Sequence, residues 1–473
     1  MKRKLSKNYF HIAFTLVLIL VGSTLFYFFN INKGLWWDEA VHLGLAKNLY
    51  LGKGYFINLN QETFRPPFFA FLISILWRLF GVSELLIRLL LPVIAILSIV
   101  ILYIFTRRLY GDEVAFWASL ILATSHMFLF YSLKILTEGI FILISLLAIY
   151  SYYIAIEKSK KYFLLCGILM GFSFLTRYPG LILPAFYLLY PIFLRKRNLL
   201  LKEKFYWLGI VSFLVVLIPW FWLGQINFGS PIGALFVEAG TVTERWYIEE
   251  WHYYFMHWFE MFGLIGIFVI PGAIVSLVKL NKPKNSFVLI LASLSLLFFM
   301  LIPRKELRYM IHYLPVFTIL FSIGIVELRK WMGSKRMLPL IAIAFCILNF
   351  LAGIQMIFYD REGGRALKEA GTYLREVVPK NTTIMSQNMP VLYYTAERNI
   401  VYFPEDRNEL MNKIYYNNVS FLVIEFREPT YPDYVWEKEG LRKKPSKIFE
   451  NFAFEKSFNE GNETFVWVYR VEE

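Results

Sequence analysis

The chain is poor in cysteine and in charged residues. Its two cysteines, Cys166 and Cys346, both lie inside apolar runs, which excludes a disulfide framework and predicts two small packing residues. Charged side chains make up 18% of the sequence, whereas they make up about a quarter of an ordinary soluble protein. A soluble globular fold is therefore a poor description of this chain.

Acidic residues are scarce relative to basic ones, and the formal net charge is +14. A strong basic excess is common in nucleic-acid-binding proteins. Here the lysines and arginines stand mostly in short loops between apolar runs, which is where membrane topology places them. We therefore exclude nucleic acid as a partner. The sequence also lacks internal repeats, which many transporters carry.

Apolar residues are abundant, at 58% of the chain. They fall into runs of about the 20 residues that a helix needs to cross a bilayer. The sequence thus predicts a polytopic α-helical membrane protein, with about 11 transmembrane helices and the lipid bilayer as a partner. The predicted crossings are 12–29, 85–106, 113–131, 135–156, 162–176, 179–194, 205–224, 257–279, 286–303, 309–328 and 338–358.

Basic loops predict the orientation of these helices. The first run follows several lysines, is longer than the apolar part of a signal peptide and has no small-residue cleavage site after it, so it predicts a retained anchor with a cytoplasmic N-terminus. Every loop then predicted inside is rich in lysine and arginine, as in 157–161 and 195–204. If 66–80 were a crossing, all of these basic loops after it would face outward. We therefore predict an interfacial or re-entrant helix at 66–80. The result is a multi-pass protein of the cell membrane.

The sequence divides into two predicted domains. Residues 1–358 form the transmembrane domain, with a long first outer loop at 30–84. Residues 359–473 are polar and mix a helical segment, Gly363–Val378, with short β-rich runs. This pattern predicts a small extracytoplasmic α/β domain at the C-terminus. The β-rich runs are Thr383–Gln387, Asn399–Phe403, Val419–Phe426 and Glu463–Val471.

Two adjacent acids, Asp38 and Glu39, follow the first apolar run in the motif W-W-D-E. They begin a segment of helical spacing, on the side predicted to face outward. Acids at a helix N-terminus stabilise the helix dipole, so Glu39 has a structural and a catalytic interpretation. His42 lies one turn beyond Asp38, where it orients that acid, contacts an acceptor or only covers the surface.

Further charged residues stand at the helix ends predicted to lie on the same side. Arg65 precedes Pro66 and Pro67, Glu138 opens the fourth crossing, and Arg177 stands in a Thr-Arg-Tyr-Pro-Gly turn. A dense basic cluster also breaks the inside-positive bias, and such local exceptions favour a functional site. Its candidate residues are Lys305, Arg308 and Tyr309.

Cations and carboxylates at headgroup level suit one reaction. Arginine and lysine can hold the phosphate of a lipid-linked sugar, and a carboxylate can take a proton from an attacking hydroxyl. The combination predicts an inverting transfer of a sugar from a polyprenyl phosphate to an acceptor outside. This displacement requires no cofactor or metal, although the sequence does not exclude a divalent ion.

The stretches WWDEAVHLGLAKNLYLGKGY, RPPFFAFLISILWRLFG, TRYPGL and RKELRYMIHYLP resemble the GT-C glycosyltransferases of the protein O-mannosyltransferase and aminoarabinose-transferase type. The resemblance covers nearly all of residues 10–330. It implies a GT-C-like fold, with Asp38 as the general base and Glu39 either supporting it or contacting the acceptor. It also implies a dolichyl- or undecaprenyl-phosphate sugar as the donor. Glu138 is the third acid of the implied catalytic set, at a position where relatives more often carry Asp. The resemblance places Arg65, Arg177, Lys305, Arg308 and Tyr309 near the donor phosphate.

Other interpretations remain open at this stage. A transporter or lipid-linked-sugar flippase would place its charges near the bilayer midplane rather than at helix ends, and a scaffold would tolerate loss of both Asp38 and Arg65. The acceptor is a protein, a glycolipid or a growing glycan. Trp246 and Trp251, in the loop 225–256, either stack on its sugars or belong to the interfacial aromatic belt.

Overall fold

The computed structural model describes residues 2–58, 64–194, 200, 202–241, 248–333, 336–426, 431–439, 442–461 and 463–472. These residues form two compact units. The helical unit comprises Met1–Asn30, Phe64–Phe69 and Ser83–Phe358. The mixed unit comprises Ile31–Thr63, Ala70–Val82 and Tyr359–Glu473.

The helical unit confirms the prediction of a polytopic α-helical membrane protein. Among the described residues, seven helices are long and apolar enough to cross a bilayer. They correspond to seven of the eleven predicted runs, and the other four runs form shorter or interrupted helices. The seven are Tyr9–Phe28, which belongs to the helix Lys2–Phe28, and Glu84–Tyr110, Thr137–Glu157, Lys204–Phe228, Pro283–Leu301, Leu307–Trp331 and Met337–Tyr359.

Shorter helical segments connect these spans. Several are 3₁₀ segments that lead directly into an α-helix, as Leu307–Tyr313 leads into Leu314–Trp331. The remaining α-helices of this unit are Asp112–Thr124, His126–Tyr131, Tyr162–Thr176, Ile182–Leu189, Gly233–Thr241, Tyr253–Met256, Trp258–Phe262 and Val269–Val278, and the remaining 3₁₀ segments are Tyr178–Leu181, Tyr190–Phe193 and Leu264–Phe268.

Two predicted crossings are interrupted by identifiable residues. In 113–131 the backbone of Ser125 is extended, and its hydroxyl accepts the N–H of Phe128 to cap a new helix. In 257–279 the break falls at Gly263, whose φ of 67° is left-handed. A Cβ there would lie 1.8 Å from Oδ1 of Asn349, so a larger side chain does not fit. Apolar length alone does not reveal either break.

Glycines bring two helices of this unit into backbone contact. A Cβ on Gly167 would lie 1.9 Å from the carbonyl oxygen of Gly209, which joins Tyr162–Thr176 to Lys204–Phe228. Small residues allow such close approach between helices in a membrane. The contact fixes the helix whose C-terminal end carries Arg177.

The mixed unit confirms the predicted α/β domain. Its strands are β1 Thr383–Met385, β2 Asn399–Val401, β3 Val419–Glu425, β4 Trp436–Glu439, β5 Arg442–Pro445, β6 Ala453–Glu460 and β7 Glu463–Arg470, with β4 and β5 forming a separate hairpin. The other five strands form a sheet of order β2-β1-β3-β7-β6, in which β1 pairs in parallel with β2 and β3, while β7 pairs antiparallel with β3 and β6. Met385, Leu422 and Ile424 lie in the buried core of this unit.

Helices cover this sheet and extend the unit beyond the C-terminal tail. The tail contributes α-helices Arg365–Val377, Met389–Ala396 and Leu410–Tyr416 and 3₁₀ segments Arg407–Glu409, Asp433–Val435 and Lys447–Asn451.

The helix Trp37–Tyr50, from the predicted first outer loop, packs against the tail. Asn48 Nδ2 donates to the hydroxyl of Tyr393 at 3.0 Å, and Lys47 pairs with Glu397 at 2.8 Å. Asn58 exchanges two hydrogen bonds with the backbone of Ile400. These residues are far apart in the sequence, so local pattern does not predict their contact.

The stretch predicted as an interfacial helix forms Phe68–Phe80. Ile73 and Trp77 are buried on one side, while Phe71 and Leu79 on the other side are more than half exposed. An apolar face left in contact with the surroundings is typical of a helix at a membrane surface. Its interfacial placement stays a prediction.

Candidate active site

Three helix ends meet in the helical unit and bring predicted site residues together. Arg177, just after Tyr162–Thr176, donates from Nη1 to Oε1 of Glu138 at 2.7 Å and to the hydroxyl of Thr137 at 3.1 Å. The hydroxyl of Tyr313 donates to the carbonyl of Pro179 at 3.1 Å, which ties the third segment to the same place. The predicted Glu138 and Arg177 are therefore direct partners.

The Glu138–Arg177 ion pair is buried on one side only. The Glu138 side chain is 1% exposed and the Arg177 side chain is 21% exposed. Glu138 lies in the first turn of its helix, where the dipole favours a negative charge. Its second oxygen, Oε2, is buried and has no hydrogen-bond partner among the described residues. The pair thus holds the guanidinium of Arg177 in one orientation while part of it stays accessible.

A second carboxylate, Glu306, organises the basic cluster. Arg304 donates to its Oε1 at 2.7 Å, Arg308 pairs with its Oε2, and the hydroxyl of Tyr309 donates to Oε1 at 3.2 Å. Burial raises the pKa of this carboxyl, but Arg308 and Arg304 outweigh it and the pKa is lowered. Glu306 therefore stays ionised between the two arginines. The sequence analysis assigned no role to Glu306, although the sequence itself places it two residues from an arginine on either side.

Both carboxylate–arginine groups lie within electrostatic range of one side chain, the hydroxyl of Tyr131, on which Arg308, Glu138, Glu306 and Arg177 all act. We call Glu138, Arg177, Arg304, Glu306 and Arg308 the polar cluster. It gathers three arginines around two carboxylates, with a formal excess of positive charge that can attract an anion.

The predicted Lys305 has a different environment. The residue is 6% exposed, and its ammonium donates to the carbonyls of Glu249 at 2.8 Å and Ile302 at 2.9 Å. Burial lowers its pKa, against the opposing effect of Glu249 and Glu250. These contacts anchor the segment at 248–250 through its backbone, which gives Lys305 a structural task. Its contact with a donor phosphate stays a prediction.

Arg65 lies beside a bond that reaches the Arg177 turn. The hydroxyl of Tyr178 donates to the carbonyl of Phe64 at 2.6 Å, and the rings of Phe68 and Phe172 are 4.8 Å apart. Arg65 is the chain neighbour of Phe64, and Arg177 is the chain neighbour of Tyr178. Two predicted phosphate-binding arginines therefore flank one hydrogen bond.

An apolar cavity opens next to this bond. Its volume is about 170 Å³ and Tyr178 is part of its wall. Hydrocarbon is the ligand that such a lining accommodates, because few polar groups lose water when it enters. The other lining residues are Phe174, Leu181, Phe213, Leu214, Leu217, Trp220, Phe221, Pro231, Ile232 and Leu235.

The W-W-D-E motif lies in the mixed unit, at the N-terminus of Trp37–Tyr50. Glu39 is fully buried, and its Oε2 accepts the backbone N–H of Trp36 at 2.8 Å, which is the carboxylate half of a capping box. Asp38 is partly buried, and His42 is buried one turn further along. The capping bond gives a physical reason for Glu39, whose catalytic role stays a prediction, as does that of Asp38.

The backbone that leads to Asp38 is fixed to a turn that follows the last span. The indole of Trp36 donates to both carboxylate oxygens of Asp360, at 3.2 and 3.3 Å. Lys33 N donates to the carbonyl of Arg361, and a Cβ on Gly34 would lie 2.1 Å from the carbonyl oxygen of Gly363. Sequence reasoning missed Asp360, since its partner lies 324 residues away.

The predicted acceptor contacts in 225–256 are only partly described. Trp251 is well exposed, and its ring contacts His252 and Phe255, whereas Trp246 lies outside the described residues. Within the described part of the chain, no three His, Cys, Asp or Glu side chains converge as metal ligands would.

Known proteins resemble parts of this chain in sequence and most of it in fold. Residues 64–222 match the family model described as dolichyl-phosphate-mannose-protein mannosyltransferase. An uncharacterized protein of Aquifex aeolicus (strain VF5) is 29% identical over 218 residues, which are 44% of this chain and 43% of that protein. The match thus spans less than half of that relative's length.

Solved structures share the fold over most of the chain. ArnT from Cupriavidus metallidurans, bound to undecaprenyl phosphate, has a TM-score of 0.68 at 13% identity and covers 97% of both chains. The archaeal oligosaccharyltransferase AglB from Archaeoglobus fulgidus, with an inhibitory peptide and a dolichol-phosphate, has a TM-score of 0.61 at 13% identity, covering 89% of this chain and 70% of that one.

The mycobacterial arabinofuranosyltransferase AftD also matches. Its TM-score is 0.57 at 12% identity, covering 99% of this chain and 40% of that one. The protein therefore has the fold of the GT-C glycosyltransferases. The resemblance stated from the sequence is confirmed by this fold and by the family match over residues 64–222.

Proposed function

We propose that the protein is a membrane glycosyltransferase that moves a sugar from a polyprenyl-phosphate donor to an acceptor on the extracytoplasmic side. The match of residues 64–222 to a mannosyltransferase family model supports the activity. The two structural neighbours with bound undecaprenyl phosphate or dolichol-phosphate support the class of donor.

One observation carries this proposal further than the fold does. Arg65 and Arg177 flank the Tyr178–Phe64 hydrogen bond, and Tyr178 also lines the apolar cavity. A polyprenyl phosphate needs both features side by side, cations for its headgroup and a dry surface for its tail. We assign the phosphate to the arginines and the first isoprene units to the cavity, with Arg308 and Tyr309 contributing from the polar cluster.

The carboxylates of the polar cluster orient its arginines. Glu138 fixes Arg177, and Glu306 fixes Arg304 and Arg308. An arginine that is already held at the position of the phosphate loses little side-chain entropy when the donor binds. In this proposal Glu138 acts through Arg177 rather than on the sugar.

The chemical step requires one base and a held leaving group. Asp38 accepts the proton of the acceptor hydroxyl, whose oxygen attacks the anomeric carbon of the donor sugar. The bond from that carbon to the phosphate oxygen breaks, and both bonding electrons leave with the phosphate, whose charge the arginines hold. Attack opposite the phosphate inverts the anomeric configuration.

The acceptor and the orientation belong to the same proposal. A protein, lipid or glycan hydroxyl would enter from the extracytoplasmic side, with His42, Trp246 and Trp251 as contacts. The basic loops support a cytoplasmic N-terminus. Residues 1–358 would then form the transmembrane domain of a cell-membrane protein, and 359–473 its extracytoplasmic domain.

Purified protein in nanodiscs tests the activity. Radiolabelled polyprenyl-phosphate sugars are offered as a panel, and sugar release or transfer is followed in wild type and in Arg65→Gln. The exposed Arg375→Gln on the mixed unit serves as the matched control. We expect one donor to turn over, with affinity lost in Arg65→Gln only. Movement of intact donor between leaflets without sugar release would instead support the transporter interpretation.

A further inference from the structure

The mixed unit contains a groove whose lining residues have no role in the proposed reaction. It lies between one face of the helix Arg365–Val377 and strand β6, and its volume is about 600 Å³. Lys33, from the segment that leads to Asp38, closes one side. This volume lies in the range of small-ligand sites, about 300–1,000 Å³, and most of the lining residues are charged or polar.

The groove has an excess of positive charge. Its lining includes four cationic and two carboxylate side chains. Arg365 donates from Nε to Glu369 at 2.7 Å and from Nη1 to Glu362 at 3.0 Å, so carboxylates compensate its charge. Three lysines and one carboxylate make up the rest of the charged lining, so the formal charge of the lining is positive, which favours an anionic ligand. These four are Lys33, Lys368, Lys456 and Glu376.

One of these cations is held in a defined place. The ammonium of Lys456 lies 4.4 Å from the ring centroid of Tyr373 and 5.2 Å from that of Phe458. The hydroxyl of Tyr373 donates to Glu455 at 2.8 Å, which fixes the ring beneath the ammonium. A cation positioned before binding costs less entropy when an anion arrives.

The groove is continuous with the segment that carries the proposed base. Lys33 lies five residues before Asp38, and its backbone N–H is bound to Arg361. Gly34 packs against Gly363, immediately before the helix that forms the other wall. A ligand in the groove therefore lies against Lys33, in the segment that leads to Asp38.

We propose that this groove binds an anionic glycan, one that carries phosphate or carboxylate groups on a sugar backbone. Lysines provide the point charges that hold phosphate or carboxylate. Glu369 and Glu376 can accept hydrogen bonds from sugar hydroxyls, and Thr372 adds a hydroxyl. The same two carboxylates repel a wholly acidic peptide. That this glycan is the acceptor, or the part of it next to the reacting hydroxyl, rests on the proposed function.

Binding to the full chain in nanodiscs of zwitterionic lipid tests the groove. The probes are mannopentaose, mannopentaose with one 6-phosphate, a galacturonic acid pentamer and an acidic hexapeptide. We expect the two charged glycans to bind at least about tenfold more tightly than the neutral one, as charge-assisted hydrogen bonds provide. Equal affinity for neutral and charged glycans, or tighter binding of the peptide, would overturn the proposal.

Lysine variants locate the binding. The double variant Lys368→Ala with Lys456→Ala should lose about tenfold or more in affinity for the phosphorylated glycan. Lys380→Ala with Lys447→Ala, at two exposed lysines of the same unit outside the groove, should leave it unchanged. Equal effects of the two pairs would contradict the assignment. The affinity for the same phosphorylated glycan on a lipid anchor is then compared with the affinity for the soluble glycan. Tighter binding of the anchored form would indicate a membrane-borne ligand, and equal binding a soluble one.

Glycan binding in the groove and the proposed transfer reaction can be refuted independently of each other. Asp38→Asn should keep glycan binding and lose donor turnover. Donor turnover in a wild type that binds no anionic glycan would remove the groove and leave the transferase. Glycan binding in a protein that turns over no donor would leave a binding site and remove the proposed reaction.

Discussion

The ion pair between Glu138 and Arg177 gives the most specific prediction about the donor site. If Glu138 acts by orienting Arg177, then Glu138→Gln should weaken donor binding because the guanidinium is no longer fixed. The pair is separated by 2.7 Å, with the carboxylate buried and the arginine 21% exposed. Glutamine keeps the size of the side chain and one oxygen acceptor, so the change mainly removes the charge.

The magnitude follows from this burial. Removing one partner of a fully buried pair costs about 3–5 kcal/mol, whereas an exposed pair contributes about 1 kcal/mol or less. Because Arg177 reaches solvent in part, we expect about 2 kcal/mol in the free energy of unfolding. Donor affinity should fall about tenfold, since one charge-assisted contact to the phosphate loses its fixed geometry.

A double-mutant cycle provides the assay. Donor dissociation constants are measured for wild type, Glu138→Gln, Arg177→Gln and the double variant, all in nanodiscs. If Glu138 acts through Arg177, the double variant should bind no worse than Arg177→Gln, with a coupling energy above about 1 kcal/mol. Additive effects of the two changes, within about 0.5 kcal/mol, would refute this role of Glu138.

Three further predictions concern the segments that hold the site. Gly34→Ala should reduce turnover but not donor affinity, because its Cβ would meet the carbonyl of Gly363 at 2.1 Å; equal losses in both would contradict this. Asp360→Ala frees the indole of Trp36 and should lower kcat, with partial recovery in Asp360→Asn, whose amide oxygen still accepts; unchanged kcat in the alanine variant would reject the clamp. The pKa of Glu306 is lowered in the folded protein. Its ionised carboxylate therefore stabilises the fold above its unfolded pKa, and this stabilisation is lost as the pH falls through the lower folded value. When thermal unfolding is followed as a function of acidic pH, Glu306→Gln should lack this loss of stability, and a loss equal to that of wild type would contradict the assignment.

The parts of the fold that follow from apolar length and period were predictable. Seven spans, the helix Trp37–Tyr50 and strands β1, β2, β3 and β7 all lie where the sequence indicated them. At the break, Gly263 packs closely against the side chain of Asn349, which lies far along the chain. Strand β6 reads AFEKSFNE, which has no clear alternation of apolar and polar residues, and it joins the sheet by pairing with β7. Non-local contacts decide such features.

The candidate site divides in the same way. The pairing of Glu138 with Arg177 agrees with the expectation that charges at helix ends converge. The capping bond of Glu39 was one of two interpretations that the sequence left open. The carbonyl contacts of Lys305 and the clamp of Trp36 by Asp360 depend on how distant backbone segments meet. A single sequence contains no local signal for these contacts.

Donor turnover by Asp38→Asn tests the central claim most directly. Wild type, Asp38→Asn and the control Asp433→Asn, at an exposed acid of the same unit, are compared in nanodiscs with the donor that wild type uses. The account predicts that Asp38→Asn keeps the donor dissociation constant and loses sugar transfer, while the control behaves like wild type. Transfer at the wild-type rate by Asp38→Asn would contradict the assignment of Asp38 as the base.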